Sequence, residues 1–265
     1  MPESDSANVA YDLSDGVATI TLNRPDAMNS LTTATKEELL AAVERAKNDP
    51  GARAVVLTGS GKAFSAGQDL QEHADALGSG EGLGGTVRKH YNPIVLGLTR
   101  MPKPVIAAVN GVAAGAGASF AFACDMRVVS DRSSFLMAFA NVGLGSDSGA
   151  SWTLPRLVGH ARAMELLTLA EPIKAQRALE IGLVNQVVPE EELAATARGL
   201  AERLANGPTV AYAAIKAELT YGSGLDLESA LEMEANLQEQ CAQTTDHTNA
   251  TLAFLNKETP TFDGQ

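Results

Sequence analysis

The chain has 265 residues, of which 45% are hydrophobic, and a formal net charge of −12 at pH 7. This is enough for one large domain, or a domain with an appendage, around a substantial core. The acidic balance argues against a nucleic-acid-binding surface, which requires a basic face. The most apolar stretch, residues 105–124, is interrupted by Asn110, Ser119 and several glycines, so no membrane span is predicted.

The two cysteines and the composition of the first residues bear on the cellular compartment of the protein. Cys124 and Cys241 have neither a CxxC spacing nor the arrangement of a disulfide framework. The first residues, MPESDSANVAYD, are acidic and lack the basic-then-apolar pattern of a signal peptide. We therefore expect a cytoplasmic protein.

Strand and helix patterns alternate along the first half of the chain. Residues 8–25 alternate apolar and polar side chains around a turn at Ser14–Gly16, which predicts a β-hairpin. Residues 32–50 predict an amphipathic helix, and residues 52–61 predict a short buried strand. Residues 67–93 begin as a helix and then loosen, so they predict a mobile loop or a disordered connector around Gly78, Gly80, Gly82, Gly84 and Gly85.

The second half repeats this order and then becomes helical. Residues 103–111 predict a buried strand, followed by a glycine-rich turn that enters an apolar helix within residues 111–123. Further short strands are predicted within residues 125–131 and 133–139, and helices follow from Asp147. The alternation indicates an α/β fold, with a core at residues 1–199 and a helical C-terminal region at residues 200–265.

Two glycine-rich turns are the first candidates for a binding site. The first, residues 58–70, fails the phosphate-loop pattern because Val56 and Ala63 stand where glycine and a hydroxyl residue belong. The second, residues 110–120, matches the dinucleotide-binding pattern only in part. Each turn could instead aim a backbone N–H at a shared point and so form an oxyanion hole. Ordinary strand-to-helix turns remain the alternative.

Nearly the whole chain, in order, resembles the crotonase (enoyl-CoA hydratase/isomerase) superfamily. The resemblance is carried by the segments LNRPDAMNSL, KAFSAGQDL, KPVIAAVNGVAAGAGASFAFACDMRVV, LPRLVGHARAMELL and AFLNKETPTF. It implies a ββα spiral core, a helical C-terminal trimerisation region and acyl-CoA thioester substrates. It implies no separate cofactor, because coenzyme A is part of the substrate, and no metal spacing is found.

The resemblance also implies a set of site residues. Oxyanion N–H groups are expected from Ala66 and Ala116, and Gly115 is expected beside the substrate. Lys257 is expected to meet a phosphate of coenzyme A, across a subunit boundary, unless it is simply solvated. Further coenzyme A contacts are expected from Asp26, Ala27, Met28, Ala63, Gln68, Asp69 and Leu70.

The resemblance leaves the reaction open. Enoyl-CoA hydratases carry two glutamates that activate water, and their places are taken here by Ser119 and Phe139. Neither side chain can act as a carboxylate acid or base. Ser119 is expected to pack or cap, and Phe139 is expected to line the acyl pocket or pack in the core. Simple hydratase activity is therefore not expected.

Asp147 is the candidate catalytic acid, within GLGSDSGASW. It precedes a predicted helix, so it could be an N-cap. Its segment also resembles that of the ring-epoxide isomerases that act on 2-(1,2-epoxy-1,2-dihydrophenyl)acetyl-CoA, where an aspartate at this place moves protons. In 4-chlorobenzoyl-CoA dehalogenases the matching aspartate is a nucleophile. Apolar surroundings from Phe139, Leu144 and Trp152 would raise its pKa, whereas capping would lower it.

We therefore expect an acyl-CoA isomerase of the enoyl or ring-epoxide type. A hydratase with atypical acid and base residues, an Asp-nucleophile dehalogenase or thioester hydrolase, and a silent CoA-binding protein remain open. His73 and His90 flank the glycine-rich loop and could approach the site. The apolar spacing of the tail predicts docking on the core or on a neighbour, and the resemblance implies a homotrimer or a dimer of trimers. The apolar tail residues are Leu225, Leu227, Leu231, Met233, Leu237, Leu252, Phe254 and Leu255.

Overall fold

The computed structural model describes residues 7–79 and 84–265. The centre of the predicted glycine-rich loop, residues 80–83, lies outside these ranges. On its flanks the backbone is helical through Ser79 and again from Gly84, so the expected loosening at Gly78 and at Gly85 is wrong.

The chain order alternates strands and helices, as the sequence patterns predict. The described strands are β1 (Val9–Ser14), β2 (Val17–Leu22), β3 (Ala54–Gly59), β4 (Ala63–Ser65), β5 (Val105–Val109), β6 (Val112–Ala114), β7 (Met126–Ser130), β8 (Ser134–Leu136), β9 (Ile173–Lys174) and β10 (Gln186–Val188). The first helices are α1 (Thr33–Asn48), α2 (Leu70–Ser79), α3 (Gly84–Thr86), α4 (Asn92–Arg100), α5 (Ala116–Ala123) and α6 (Ala150–Val158). The others are α7 (His160–Leu169), α8 (Ala175–Glu180), α9 (Leu193–Ala205), α10 (Thr209–Gly222), α11 (Leu227–Ala242) and α12 (Thr245–Asn256).

Two sheets form the core. The larger sheet has the order β1-β2-β3-β5-β7-β10, and the smaller sheet has the order β4-β6-β8-β9. The β1–β2 hairpin is antiparallel, and β2, β3, β5, β7 and β10 run parallel. Every residue of β5 is buried, which explains why its sequence shows an unbroken apolar run instead of an alternation. The chain passes repeatedly from the large sheet to the small one and back. Because β4 and β6 pair in parallel within the small sheet, their carboxyl ends lie beside each other.

Glycines permit the close approach of the two turns that follow β4 and β6. Gly67 has φ +83°, and a Cβ at this position would lie 2.7 Å from the Ala114 carbonyl oxygen. A Cβ at Gly117, in the first turn of α5, would lie 2.6 Å from Ser65 Cβ. Any larger residue would force the turns apart, so both glycines are required by packing.

The predicted boundary at residue 200 is wrong, because it falls inside α9. The buried face of this helix, including Leu193, Ala197 and Ala201, packs against side chains of β3, β5 and β7. The helix therefore belongs to the core. The C-terminal helical region begins after α9, where Gly207 and Pro208 separate α9 from α10.

The last helices leave large apolar side chains uncovered in the single chain. Leu219, Leu227 and Leu255 are each more than 70% exposed, and Phe254 is 82% exposed. Met233 and Leu237 are partly covered, since α11 packs on α10. In the described ranges no helix has the length and apolarity needed to cross a membrane.

The turn geometry predicts a sharp difference between two glycines. Gly67→Ala is expected to lower the free energy of unfolding by about 1–3 kcal/mol, because it adds both a clash and a strained positive φ. Gly85→Ala serves as the control, since a Cβ there meets nothing within 4 Å. Urea unfolding midpoints measure both. Equal midpoints for the two variants would contradict the packing described.

Candidate active site

A cavity of about 210 Å³ lies where the two glycine turns meet the segment before α6. Most of its wall is apolar. The residues that line it are Ala66, Gly67, Gln68, Leu70, His73, Thr86, Val87, Tyr91, Gly115, Ala116, Ala138, Phe139, Val142, Leu144 and Asp147. The structure thus brings Ala66, Gln68, Leu70, Gly115, Ala116, Phe139 and Asp147 together, as the sequence predicted.

The backbone donors at the cavity differ in one respect from those expected. The N–H of Ala66 donates to the carbonyl oxygen of Met28 at 2.9 Å, so it is not free to bind a ligand. Two residues further on, the N–H of Gln68 donates to no acceptor in the described part of the chain. Ala116 is the first residue of α5, and N–H groups in the first turn of a helix have no acceptor within it. The N–H groups of Gln68 and Ala116 are therefore free donors, one on each glycine turn, and the expectation for Ala66 is corrected.

Asp147 is half-buried at the cavity and does not cap a helix. The residue preceding α6 is Gly149, and no side chain caps that helix. The carboxylate accepts one hydrogen bond, from the Ser148 hydroxyl at 2.8 Å. Burial raises the pKa of Asp147, and the Ser148 hydrogen bond offsets only part of this shift. Because no helix N–H stabilises the anion, the apolar surroundings decide the direction.

The two positions that carry glutamate in hydratases hold no acid here. Phe139 is 8% exposed and forms part of the cavity wall. Ser119 is fully buried in α5, and its hydroxyl donates to the Gly115 carbonyl oxygen at 3.0 Å. Ser119 therefore supports the helix start, and Asp147 is the one carboxylate among the described residues that line the cavity.

Several residues expected at coenzyme A have structural partners. Ala63 is buried in β4, and its carbonyl oxygen accepts from the side-chain amides of Asn29 and Asn110. The Asp69 carboxylate accepts from Arg24 at 3.1 Å, from Ser30 and from the N–H of Glu72. Burial alone would raise the pKa of Asp69, but these contacts together lower it.

The remaining expected contacts lie on the surface. Pro25–Ala27 form a 3₁₀ turn that carries Asp26, and Met28 follows in a left-handed conformation, 44% exposed. Lys257 ends α12 in the same conformation, is exposed, and does not line the cavity within the chain. These residues remain available to a ligand.

A polar network along the cavity wall, completed by the buried Lys36, was not found from the sequence. Gln68 Oε1 accepts hydrogen bonds from the Tyr91 hydroxyl and from Lys36 Nζ, the latter at 3.2 Å. Lys36 is 1% exposed and also donates to the Thr86 hydroxyl at 2.9 Å. A usable signal was present: Lys36 precedes Leu39 by three residues and Leu40 by four, which places this lysine on the apolar face of α1.

The two histidines that flank the glycine-rich loop differ in position. His73 lines the cavity, and its Nδ1 is buried without a partner in the described structure. His90 is buried behind the cavity, and its Nδ1 lies 2.9 Å from the Thr86 hydroxyl. Burial, followed by the nearby Lys36 and Lys89, lowers the pKa of His90.

A second and larger cavity, of about 510 Å³, lies between α4, α6 and α10. Trp152, which was expected beside Asp147, lines this second cavity together with Arg156, whose guanidinium stacks 4.0 Å from the indole centroid. No carboxylate lines it among the residues described. Residues 7–79 and 84–265 contain no cluster of three or more His, Cys, Asp or Glu residues able to hold a metal ion.

The position of Asp147 predicts how its replacement affects stability. Because the folded-state pKa is raised, the stability that wild type holds at low pH is lost as pH rises through that pKa. Asp147→Asn should therefore melt at or above wild type at pH 7, with the difference growing from pH 4 upward. Calorimetric scans across this range measure it. A helix cap would give a different pattern: Asp147→Ala would then lower the free energy of unfolding by about 1 kcal/mol at neutral pH, whereas Asp147→Asn would change it little at any pH.

Comparison with known proteins agrees with this architecture. The enoyl-CoA hydratase/isomerase family model matches residues 12–265. A Rhodobacter capsulatus protein named "Probable enoyl-CoA hydratase" is 42% identical, covering 97% of this chain and 98% of the relative. An Escherichia coli 1,2-epoxyphenylacetyl-CoA isomerase is 41% identical, covering 94% and 96%. A crystal structure of an enoyl-CoA hydratase/isomerase from Mycobacterium abscessus superposes with a TM-score of 0.93 at 42% identity, covering 97% of this chain and 100% of that chain. With its spiral α/β core and its cavity between two glycine turns, the chain belongs to the enoyl-CoA hydratase/isomerase (crotonase) family.

Proposed function

We propose that this chain is an acyl-CoA isomerase that forms a thioester enolate and moves a proton with Asp147. The observation that carries the proposal is that one carboxylate, with a raised pKa, lines a largely apolar cavity beside two free backbone donors. Both hydratase glutamates are replaced, which disfavours activation of water. The 41% identity to a 1,2-epoxyphenylacetyl-CoA isomerase agrees with this choice.

The oxyanion site supplies the first part of the mechanism. The N–H groups of Gln68 and Ala116 bind the thioester oxygen, and the dipole of α5 adds positive potential at its N-terminus. Negative charge that develops on this oxygen is stabilised by donors already in place. Loss of one such donor typically costs about 3 kcal/mol of transition-state stabilisation.

Asp147 supplies the second part. As a carboxylate it removes a proton from C2 of a 3-enoyl thioester, and the electrons of the C–H bond pass into the dienolate. The protonated Asp147 then returns the proton to C4, which gives the 2-enoyl product. A raised pKa suits both steps, because the group must accept and release a proton near neutral pH. No cofactor is needed beyond the coenzyme A of the substrate.

The substrate class follows from the lining. Phe139, Val142 and Leu144 offer apolar contact to an acyl chain or ring. We propose a ring-epoxide or enoyl acyl group, in phenylacetate or fatty acid breakdown, with Asp26, Met28 and Leu70 near the nucleotide part of coenzyme A.

Replacing Asp147 tests the assignment. Asp147→Asn preserves size but cannot transfer a proton, so conversion of 3-hexenoyl-CoA to 2-hexenoyl-CoA should fall by roughly 100-fold or more, with acyl-CoA binding retained. Asp131→Asn, at an exposed position, is the matched control. Rates are followed by the absorbance of the conjugated product. Retention of most activity in Asp147→Asn would exclude it as the proton carrier.

A nucleophilic aspartate is the competing chemistry. Single turnover in 18O water separates the two, because a covalent acyl- or aryl-enzyme would leave the label in Asp147. An unlabelled Asp147 after isomerisation supports proton transfer. Fast water addition without isomerisation would overturn the proposal in favour of a hydratase.

We also propose that the exposed apolar helices assemble the chain into a homotrimer, or a dimer of trimers. Leu227, Phe254 and Leu255 leave a large apolar surface exposed to water in the isolated chain, and such surfaces usually mark protein–protein contacts. Lys257, beside them, would then reach a neighbour's coenzyme A phosphate.

The assembly proposal has its own test. The double variant Phe254→Ser with Leu255→Ser should shift the molar mass from trimer towards monomer in light scattering after size exclusion. Leu169→Ser, which removes an apolar side chain of similar exposure on α7, should leave the mass unchanged. Deletion from Gly224 onward should give insoluble or monomeric, inactive protein. A soluble, active monomer would contradict assembly.

A further inference from the structure

The polar network along the cavity wall ends on the side chain of Gln68, the residue whose backbone N–H is proposed above as an oxyanion donor. Gln68 follows Gly67, whose φ of +83° lies in the region that favours glycine. The peptide unit that carries the Gln68 N–H is held at its other edge, where Gly67 O accepts from the N–H of Leu31 at 2.8 Å, and the N–H of Asp69 donates to Leu31 O at 3.3 Å. The side chain of Gln68 is a further attachment of this residue, so the groups that hold it contribute to the direction of the N–H.

Two donors hold that side chain. The amide oxygen of Gln68 accepts from the Tyr91 hydroxyl and from Lys36 Nζ. The amide nitrogen donates to the Asp69 carbonyl oxygen at 3.3 Å. Because a lysine ammonium can only donate, the orientation of the amide is fixed by this contact.

The two donors are themselves buried and fixed. Tyr91 is 2% exposed, and its ring packs edge-on against Phe120 with centroids 6.0 Å apart. Burial, and after it the carboxylates of Asp147 and Glu72, raise the pKa of Tyr91, so the hydroxyl stays protonated and keeps donating. Lys36 is held by Thr86 and by Glu72, whose carboxylate lies 3.5 Å from Nζ.

We infer that Tyr91 and Lys36 are positioning residues of the oxyanion site, acting through the side chain of Gln68 to aim its backbone N–H at the thioester oxygen. The inference rests on the oxyanion site proposed above. It adds residues from α1 and from the π-helical turn Val87–Tyr91, neither of which supplies a backbone donor. It also gives the polar side chain of Gln68 a role, although the group proposed to bind the thioester oxygen is the backbone N–H.

The direct test measures polarisation of the bound carbonyl. Hexanoyl-CoA labelled with 13C at the thioester carbonyl cannot isomerise or take up water, so its infrared carbonyl frequency reports the oxyanion site alone. Binding to wild type should lower this frequency. Tyr91→Phe keeps the ring and removes the donor, so it should lose a clear part of that shift. Tyr11→Phe is the matched control, because the Tyr11 hydroxyl is buried without a partner in the described structure.

Kinetics and a double-variant cycle test the route through Gln68. Tyr91→Phe should lower kcat roughly tenfold with little change in KM, less than the roughly hundredfold or greater loss expected when a donor itself is removed. Gln68→Met removes the amide and leaves the backbone N–H. The effect of Tyr91→Phe should largely disappear in the Gln68→Met background, because the two changes break one connection.

The outcomes separate this inference from the proposed function. A carbonyl shift in Tyr91→Phe equal to that in Tyr11→Phe would overturn the inference, as would fully additive effects of Tyr91→Phe and Gln68→Met. A wild-type protein that polarises hexanoyl-CoA but isomerises no enoyl-CoA would refute the isomerase assignment. If the shift then still depended on Tyr91, the positioning role would stand.

Discussion

The close backbone contact between the turns after β4 and β6 is the constraint on which the site depends. It exists only because Gly67 and Gly117 present no side chain to Ala114 and Ser65. The contact places the peptide of Gln68 beside the N-terminus of α5. Two free N–H groups thereby share one side of a cavity that neither turn could form alone.

The cavity beside this contact has both apolar and polar lining residues. The apolar wall, with Phe139 and Leu144, desolvates Asp147 and raises its pKa. Elsewhere on the wall, Lys36 and Tyr91 hold the side chain of Gln68 through buried hydrogen bonds. The apolar and the hydrogen-bonded parts of the wall come from different segments of the chain.

Sequence identity assigns the chain to its family but does not distinguish between the hydratase and the isomerase reaction. The chain is about equally similar to a protein named as a hydratase and to one named as an isomerase. The discriminating features are individual positions on a shared scaffold: Ser119 and Phe139, which cannot activate water, and Asp147, which can move a proton. Function in this family is therefore argued from the lining of the cavity, not from the fold.

The sequence alone determined the α/β architecture, the hairpin and the glycine turns, because period and turn chemistry are local. It grouped Ala116, Phe139 and Asp147 at one site only through the resemblance to the crotonase family. Tertiary structure decided which N–H stays free. Ala66 meets the Met28 carbonyl, a partner 38 positions away in the chain, and this pairing leaves Gln68 as the donor. Tertiary structure likewise assigned Lys36 to the site and removed Asp147 from the helix cap, since long-range contacts and the exact start of α6 are not encoded in any local pattern.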